Sequence, residues 1–431
     1  MAAAVAHARQ GHQVTVLEAA RTLGGRARAV PATLPDGRAI TLDNGQHILI
    51  GAYSACLQLM RELGVHEQPH LLRLPLQLRF ADGCGLQLLD LPPPWDALVG
   101  ITRASGWPWA SKWALLRRAA LWRMQGFACP PHTTVAQLCA GLPQQLMDEF
   151  IEPLCVSALN IAAIEASGQV FLKVLQDSLF SGRGGSHMLL PRTDLTHLMP
   201  QAAADWLATQ GAQVHTRARV DAIAALPHTN AAPPSTHWAV HWGTHTATFD
   251  HITLACPAWE AARLVAGLHH SMASSGANPA ILEALHTWQT CAAALQHTAI
   301  ATVYAWAPGA QLAQPIVALR SSPQAPAQFA LDRGQLGGPA GLLALVVSAS
   351  TGEREALQTQ VLQQARQQLA LPTLQAVQTI IEKRATFACT PGLVRPNSHI
   401  APGLNACGDY VHGPYPATLE GAVRSGLGVA F

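Results

Sequence analysis

The sequence predicts an α/β protein: a dinucleotide-binding, Rossmann-like domain assembled from remote parts of the chain, beside a mixed α+β domain. Three observations predict it. The first residues, MAAAVAHARQGHQVTVLE, read as helix, glycine, short apolar strand and terminal acid. The last segment, SHIAPGLNACGDYVHGPYPATLEGAVRSGLGVAF, reads as strand, Gly-Asp turn, loop and helix. Between these α/β ends lies an insertion-rich middle, so the nucleotide domain has to be built from distant segments.

The opening is the second half of a βαβ unit. Ala2 to Gln10 form a helix closed by Gly11, which tolerates the left-handed backbone after a last turn. His12 to Glu18 alternates into Val14, Val16 and Leu17, a buried strand ending in an acid. In such units the acid lies ~20 residues beyond a G-x-G-x-x-G loop and accepts hydrogen bonds from a ribose. Glu18 has seventeen residues before it, so that loop and its strand would fall at or before Met1. The expectation is a start lying upstream, and the alternative is a protein that has lost tight nucleotide binding.

Residues 19–50 then read as a glycine turn and a strand entering DNGQHILIGAY, and 54–64 as a short amphipathic helix stopped by Gly64. The chain is Trp- and Arg-rich over 91–127 and largely helical to about Phe180. Residues 185–223 read as loop, helix, Gly211 and a strand QVHTRARVDAI. The Pro-rich turn PHTNAAPPST leads to HWAVHWG and HITLACP, a small sheet ending in a buried strand. Strands TAIATVYAW and GLLALVVSA and the helix EREALQTQVLQQARQQLA occupy 263–385. The resulting division is 1–60, 185–262 and 386–431 for the nucleotide domain, and 61–184 with 263–385 for the substrate domain.

Bulk composition narrows the function classes. The 431 residues carry 12% charged and 49% apolar side chains and a formal charge of +2. The surface is therefore expected to be apolar, and no overall field draws nucleic acid. Nine cysteines without C-x-x-C pairs or regular spacing read as buried free thiols of a reducing compartment. There is no basic leader and no uninterrupted apolar run of ~18 residues. A cytoplasmic protein, peripheral on the inner membrane, is expected. No H-E-x-x-H, nucleophile elbow or Walker loop occurs, and His269-His270 lacks companion ligands, so no metal is expected.

Two stretches carry chemistry. In Leu23-Gly24-Gly25-Arg26-Ala27-Arg28 paired glycines let backbone approach a pyrophosphate while two arginines supply charge. The alternative is a solvent turn. Gly408-Asp409 places a carboxylate where sugar hydroxyls bind, and the helix from Leu419 directs its positive end beside it.

On E-A-A-R-x-L-G-G-R-A, D-N-G-Q-H-x-x-x-G-A-Y and the terminal G-D-Y…P-A-T-L-E-G-A-V-R-S-G, the chain resembles the FAD-dependent amine-oxidase-type flavoproteins. EPLCVSALN (152–160), VFLKVLQDS (170–178), LLPRTDL (189–195) and FALDRGQ (329–335) are similar to the squalene-associated branch, the hydroxysqualene dehydroxylases. The resemblance implies FAD, with Glu18 on the adenosine ribose and Gly24, Gly25 and Arg26 along pyrophosphate and flavin. It implies Val220 on the adenine side through its backbone, and Gly408 and Asp409 at the ribityl-phosphate. Leu419, Glu420 and Gly421 would present N–H groups to the pyrimidine edge, and Asp43, Asn44, Gly45, Gln46 and His47 would run past the isoalloxazine.

The activity it implies is reductive removal of an allylic hydroxyl from hydroxysqualene, with the reductant left open. A general acid has to protonate the departing oxygen; His47, Tyr53 and His412 are candidates by position, against ordinary structural roles. The alternatives are a polyisoprenoid desaturase and a non-catalytic lipid-binding scaffold that has lost FAD.

The segment 91–127 holds five of eleven tryptophans, the cations Arg103, Lys112, Arg117, Arg118 and Arg123, and one acid, Asp96. Interfacial tryptophan and clustered cations point to contact with the cytoplasmic membrane, where an isoprenoid substrate would sit. The competing reading buries Trp107, Trp109, Trp113 and Trp122 within the substrate domain.

Overall fold

The computed structural model describes residues 1–180, 182–226 and 237–429. The Pro-rich turn at 227–236 lies outside the described residues. The opening helix spans Ala2–Arg9, and Gly11 takes φ +85° after it. Thr15–Leu17 follows as a strand and pairs in parallel with Gln213–His215, some two hundred residues on. A second parallel pair joins Ile252–Leu254 to Leu404–Ala406, with His399–Ala401 antiparallel beyond it. The helix Leu419–Leu427 packs on Ala2–Arg9 through Gly426, where a Cβ would lie 2.9 Å from Ala2. Small residues on both helices permit that approach.

The second part is built on a five-stranded antiparallel sheet in the order Ile316–Ala318, Phe329–Asp332, Leu342–Ser350, His297–Trp306, Gln375–Phe387. The helix Arg354–Gln368 covers one face through Leu357, Val361, Leu362 and Ala365. The other face joins the largest apolar cluster, which also takes in the helices of 95–180.

Several expectations are corrected. QVHTRARVDAI is not one strand: it pairs only over Gln213–His215, turns at Arg217 (φ +58°) and re-enters a different sheet at Ala222–Ala225. The strand in HITLACP leaves the small sheet of Ala222–Ala225, Trp238–Trp242 and His245–Phe249 and joins the C-terminal parallel pair. Residues 29–43 form a hairpin, Ala29–Thr33 with Ala39–Asp43, whose Asp36-Gly37 turn closes at Gly37 (φ +88°). Met188–Pro191 is a buried strand, not loop, because it is sandwiched between Leu49–Ile50 and Leu71–Leu74. Two domain edges fall inside elements, 262/263 within the helix Ala258–Ser274 and 385/386 within the strand Gln375–Phe387.

Among the described residues no helix is long and apolar enough to cross a membrane. The nine cysteines are free, five of them buried and four half-buried.

Candidate functional site

The two ends of the chain meet. The Arg26 guanidinium donates from Nη2 to Asp409 Oδ1 at 2.7 Å. Its partner carboxylate is nearly inaccessible, with 9% of the side chain exposed. Arg26 reaches this position because the preceding turn needs two glycines. Gly24 and Gly25 take φ of +111° and +59°, and a Cβ on Gly24 would fall 2.2 Å from the Ala27 carbonyl oxygen. The Thr196 hydroxyl, from the LLPRTDL neighbourhood, accepts from Ala29 N–H at 2.8 Å and so pins the loop's exit. Asn44 extends the pairing: its amide donates to the Arg26 carbonyl at 3.3 Å and to Glu382 at 3.0 Å.

Glu18 ends its strand as expected, with its N–H donating to His215. Its carboxylate accepts the Ala20 N–H at 2.7 Å and thereby shapes the turn toward the diglycine. Gly408 donates its N–H to Ser425 Oγ at 3.2 Å, and a Cβ there would meet the Tyr410 ring at 2.8 Å.

The helix Leu419–Leu427 differs in detail from expectation. Thr418 is its N-cap, and its hydroxyl accepts the Gly421 N–H at 2.9 Å. Gly421 is thus taken by the cap, which leaves the N–H groups of Leu419 and Glu420 as the first-turn donors facing outward along the axis. The Glu420 side chain is fully buried and points the other way. It accepts from Ala55 N–H at 3.0 Å and Cys56 N–H at 2.9 Å, at the start of the helix Ser54–Glu62, and pairs with Arg424 at 2.6 Å. A carboxylate at a helix N-terminus satisfies two otherwise unpaired donors.

A second cluster was only half legible. Asp43 Oδ1 accepts the Leu195 N–H at 2.8 Å, and Oδ2 lies 3.9 Å from the Arg333 guanidinium. Arg333 also donates to the Pro191 carbonyl at 3.2 Å and to Gln46 at 3.4 Å. The Tyr304 hydroxyl donates to the Asp43 carbonyl at 2.8 Å and accepts from Gln46 at 2.7 Å. DNGQH, LLPRTDL and FALDRGQ therefore lock into one buried polar knot. Burial pushes the Asp43 carboxyl up to about 6, against the pull of Leu195 and Arg333. FALDRGQ gave a signal for Arg333; Tyr304 gave none, since TAIATVYAW reads as plain strand. The other two segments make polar contacts of their own. Asn160 bridges Thr298 and Thr386 at 2.9 Å each, and Lys173 pairs with Asp177 at 2.8 Å beneath the Tyr415 ring.

The three acid candidates separate. His47 is half-buried, its Nδ1 3.1 Å from the Gly45 carbonyl; burial, assisted by the Arg26 charge, lowers its pKa. Tyr53 packs against the base of Leu419–Leu427, and burial, with Cys56 and Glu420 nearby, raises its phenol and keeps it neutral. His412 is exposed, and only its backbone N–H is fixed, donating to the Pro396 carbonyl at 2.8 Å. Val220 lies in irregular chain, where its carbonyl accepts from Arg263 at 3.0 Å. Among the described residues no cluster of three or more metal-binding side chains occurs.

The model of the family "Flavin containing amine oxidoreductase" matches residues 1–430. The chain is 23% identical to a hydroxysqualene dehydroxylase of Zymomonas mobilis, over 99% of this chain and 94% of that protein. It is 24% identical to a hydroxysqualene dehydroxylase of Rhodopseudomonas palustris, with the same coverage. In fold it is similar to a crystal structure of an oxidoreductase from Methanosarcina mazei, with a TM-score of 0.67, 14% identity and coverage of 99% and 96%.

Proposed function

The chain belongs to the family of flavin-containing amine oxidoreductases, and on that premise we propose that this FAD-dependent oxidoreductase reductively removes the allylic hydroxyl of hydroxysqualene to give squalene. The observation that carries the reading is likeness to two hydroxysqualene dehydroxylases over 99% of this chain and 94% of each relative. The joining of 189–195 and 329–335 to DNGQH in one buried polar knot supports it.

The residues fit FAD. Gly24 and Gly25 make a tight turn with open space beside Gly25, Arg26 and Asp409 offer a cation and a carboxylate side by side, and a capped helix directs two N–H groups from Leu419 and Glu420. These are the groups that would hold the pyrophosphate, the ribityl chain and the ring edge. Reduced FAD, regenerated by an external electron donor, supplies the hydride when bound.

The reaction breaks a C–O bond and forms a C–H bond, consumes one hydride and one proton, and releases water. The chain supplies orientation, exclusion of water and the proton. His47 is assigned the proton because its ring is fixed by Gly45 beside Arg26, whereas Tyr53 is engaged at the helix base and His412 is exposed. With Nδ1 held at the Gly45 carbonyl, the proton is delivered from Nε2. The Asp43–Arg333–Gln46–Tyr304 knot holds DNGQH in place and touches no reacting atom.

The test is product analysis with the FAD-loaded enzyme, hydroxysqualene and a reductant. Squalene as product supports the reading. New conjugated double bonds on a polyisoprenoid favour a desaturase instead, and a colourless protein that takes up no flavin favours a lipid-binding scaffold.

A further inference from the structure

We propose that the helices Trp95–Arg103 and Trp109–Met124 form a docking face for an anionic lipid bilayer. Of the tryptophans in 91–127, Trp107 and Trp122 are buried, whereas Trp109, Trp113 and Trp95 are 64%, 68% and 58% exposed. Along the longer helix Trp109, Trp113, Arg117, Ala120 and Met124 are exposed at steps of four, four, three and four residues. That spacing is one stripe. Ser111, Lys112, Leu115 and Trp122 form the buried opposite face. The stripe is therefore a second apolar face, in excess of the one that anchors the helix. A protein does not ordinarily leave such rings in water unless something covers them.

The ring nearest the helix start is held. The Lys112 ammonium donates to the Thr102 carbonyl at 3.0 Å and sits 5.0 Å from the centroid of Trp109. The shorter helix packs alongside and exposes Trp95 and Leu98.

Charge selects the occupant. Arg103, Arg117 and Arg123 are exposed on these two helices. The segment's one acid, Asp96, is turned inward, accepting from Ala97 N–H at 2.8 Å and from the Ser186 hydroxyl at 3.3 Å. Exposed tryptophan among cations, with no exposed carboxylate in the segment, matches the headgroup region of an anionic leaflet. The proposal rests on the isoprenoid reading only for its purpose, since a substrate of that kind dissolves in the bilayer.

Flotation of the full-length FAD-loaded protein with vesicles tests it, using phosphatidylcholine alone against an equal mixture with phosphatidylglycerol. Salt-sensitive binding to the mixture is expected, lowered more than about tenfold by R117E/R123E and by W109A/W113A. Unchanged melting temperatures certify that these exposed positions leave the fold intact. Absence of binding, equal binding to both vesicles, or equal binding by the variants overturns it. So does a concentration-dependent dimer abolished by W113A without vesicle binding, which assigns the face to a second copy. Turnover of detergent-dissolved hydroxysqualene is read separately: a protein that floats but makes no squalene keeps the face and sinks the enzymatic reading.

Discussion

Arg26 and Asp409, 383 positions apart, form an ion pair of 2.7 Å that ties the diglycine turn near the start of the chain to the strand end near its close. This contact turns two remote motifs into one site. The same guanidinium also donates to the Ala385 carbonyl, so it is tied to the strand Gln375–Phe387 as well.

Replacing Arg26 by Ala leaves the Asp409 carboxylate without its partner. Stability is expected to fall by about 1–3 kcal/mol, discounted because a third of the Arg26 side chain meets water. FAD affinity is expected to fall more than about tenfold. Flavin fluorescence titration reads the affinity, and D409N should weaken it comparably. Unaltered flavin affinity in both variants would separate the ion pair from the cofactor.

Asp43 makes stability fall with rising pH. Its folded pKa, about 6, exceeds the unfolded value near 3.8, so the native state holds the proton more tightly. That contribution is complete below about pH 4 and is lost as pH climbs to 6, amounting to roughly 3 kcal/mol at most. D43N keeps an acceptor for Leu195 and should flatten the melting-temperature profile between those values. A profile identical to that of the native chain would show that Asp43 is not what titrates.

Glu420 anchors the helix Leu419–Leu427 to the helix Ser54–Glu62. E420A strands the N–H groups of Ala55 and Cys56 and frees Arg424, at a cost of about 3 kcal/mol. Denaturant unfolding should show a lower midpoint with an unchanged slope. E420Q, able to accept one of the two hydrogen bonds, should recover part of the loss.

As the proposed proton donor, His47 is expected to set the pH dependence of turnover. Burial and Arg26 place its pKa below 6.5, so the protonated acid accumulates only as pH falls. Turnover is expected to rise from pH 7.5 toward 5.5, and H47A to lose about a hundredfold in kcat together with that dependence. A variant that keeps the native pH profile would reassign the proton.

Local elements were readable because their causes are local. Gly11 and Gly64 ended helices where their positive φ demanded it, and GGR marked a turn that only glycine can make. The Gly408-Asp409 turn and the helix from Leu419 stood where the pattern put them. Less visible was the use of each group. Gly421 reads as a ligand donor, yet its N–H caps the helix, because Thr418 is the nearer acceptor. Tyr304 gave no sign of its role, since its partners Asp43 and Gln46 lie 261 and 258 residues away.

By itself, then, the sequence determined periodicity, punctuation and the residue types that a nucleotide site requires, all of which are decided within a few bonds by backbone sterics and amphipathic spacing. Tertiary structure alone decided which strand meets which. Ile252–Leu254 goes to Leu404–Ala406 and not to its neighbours in sequence, and Trp109 and Trp113 face outward while Trp107 and Trp122 do not. Such choices depend on burying the most apolar area over the whole chain while leaving few buried polar groups unpaired, and no short window of residues contains that balance.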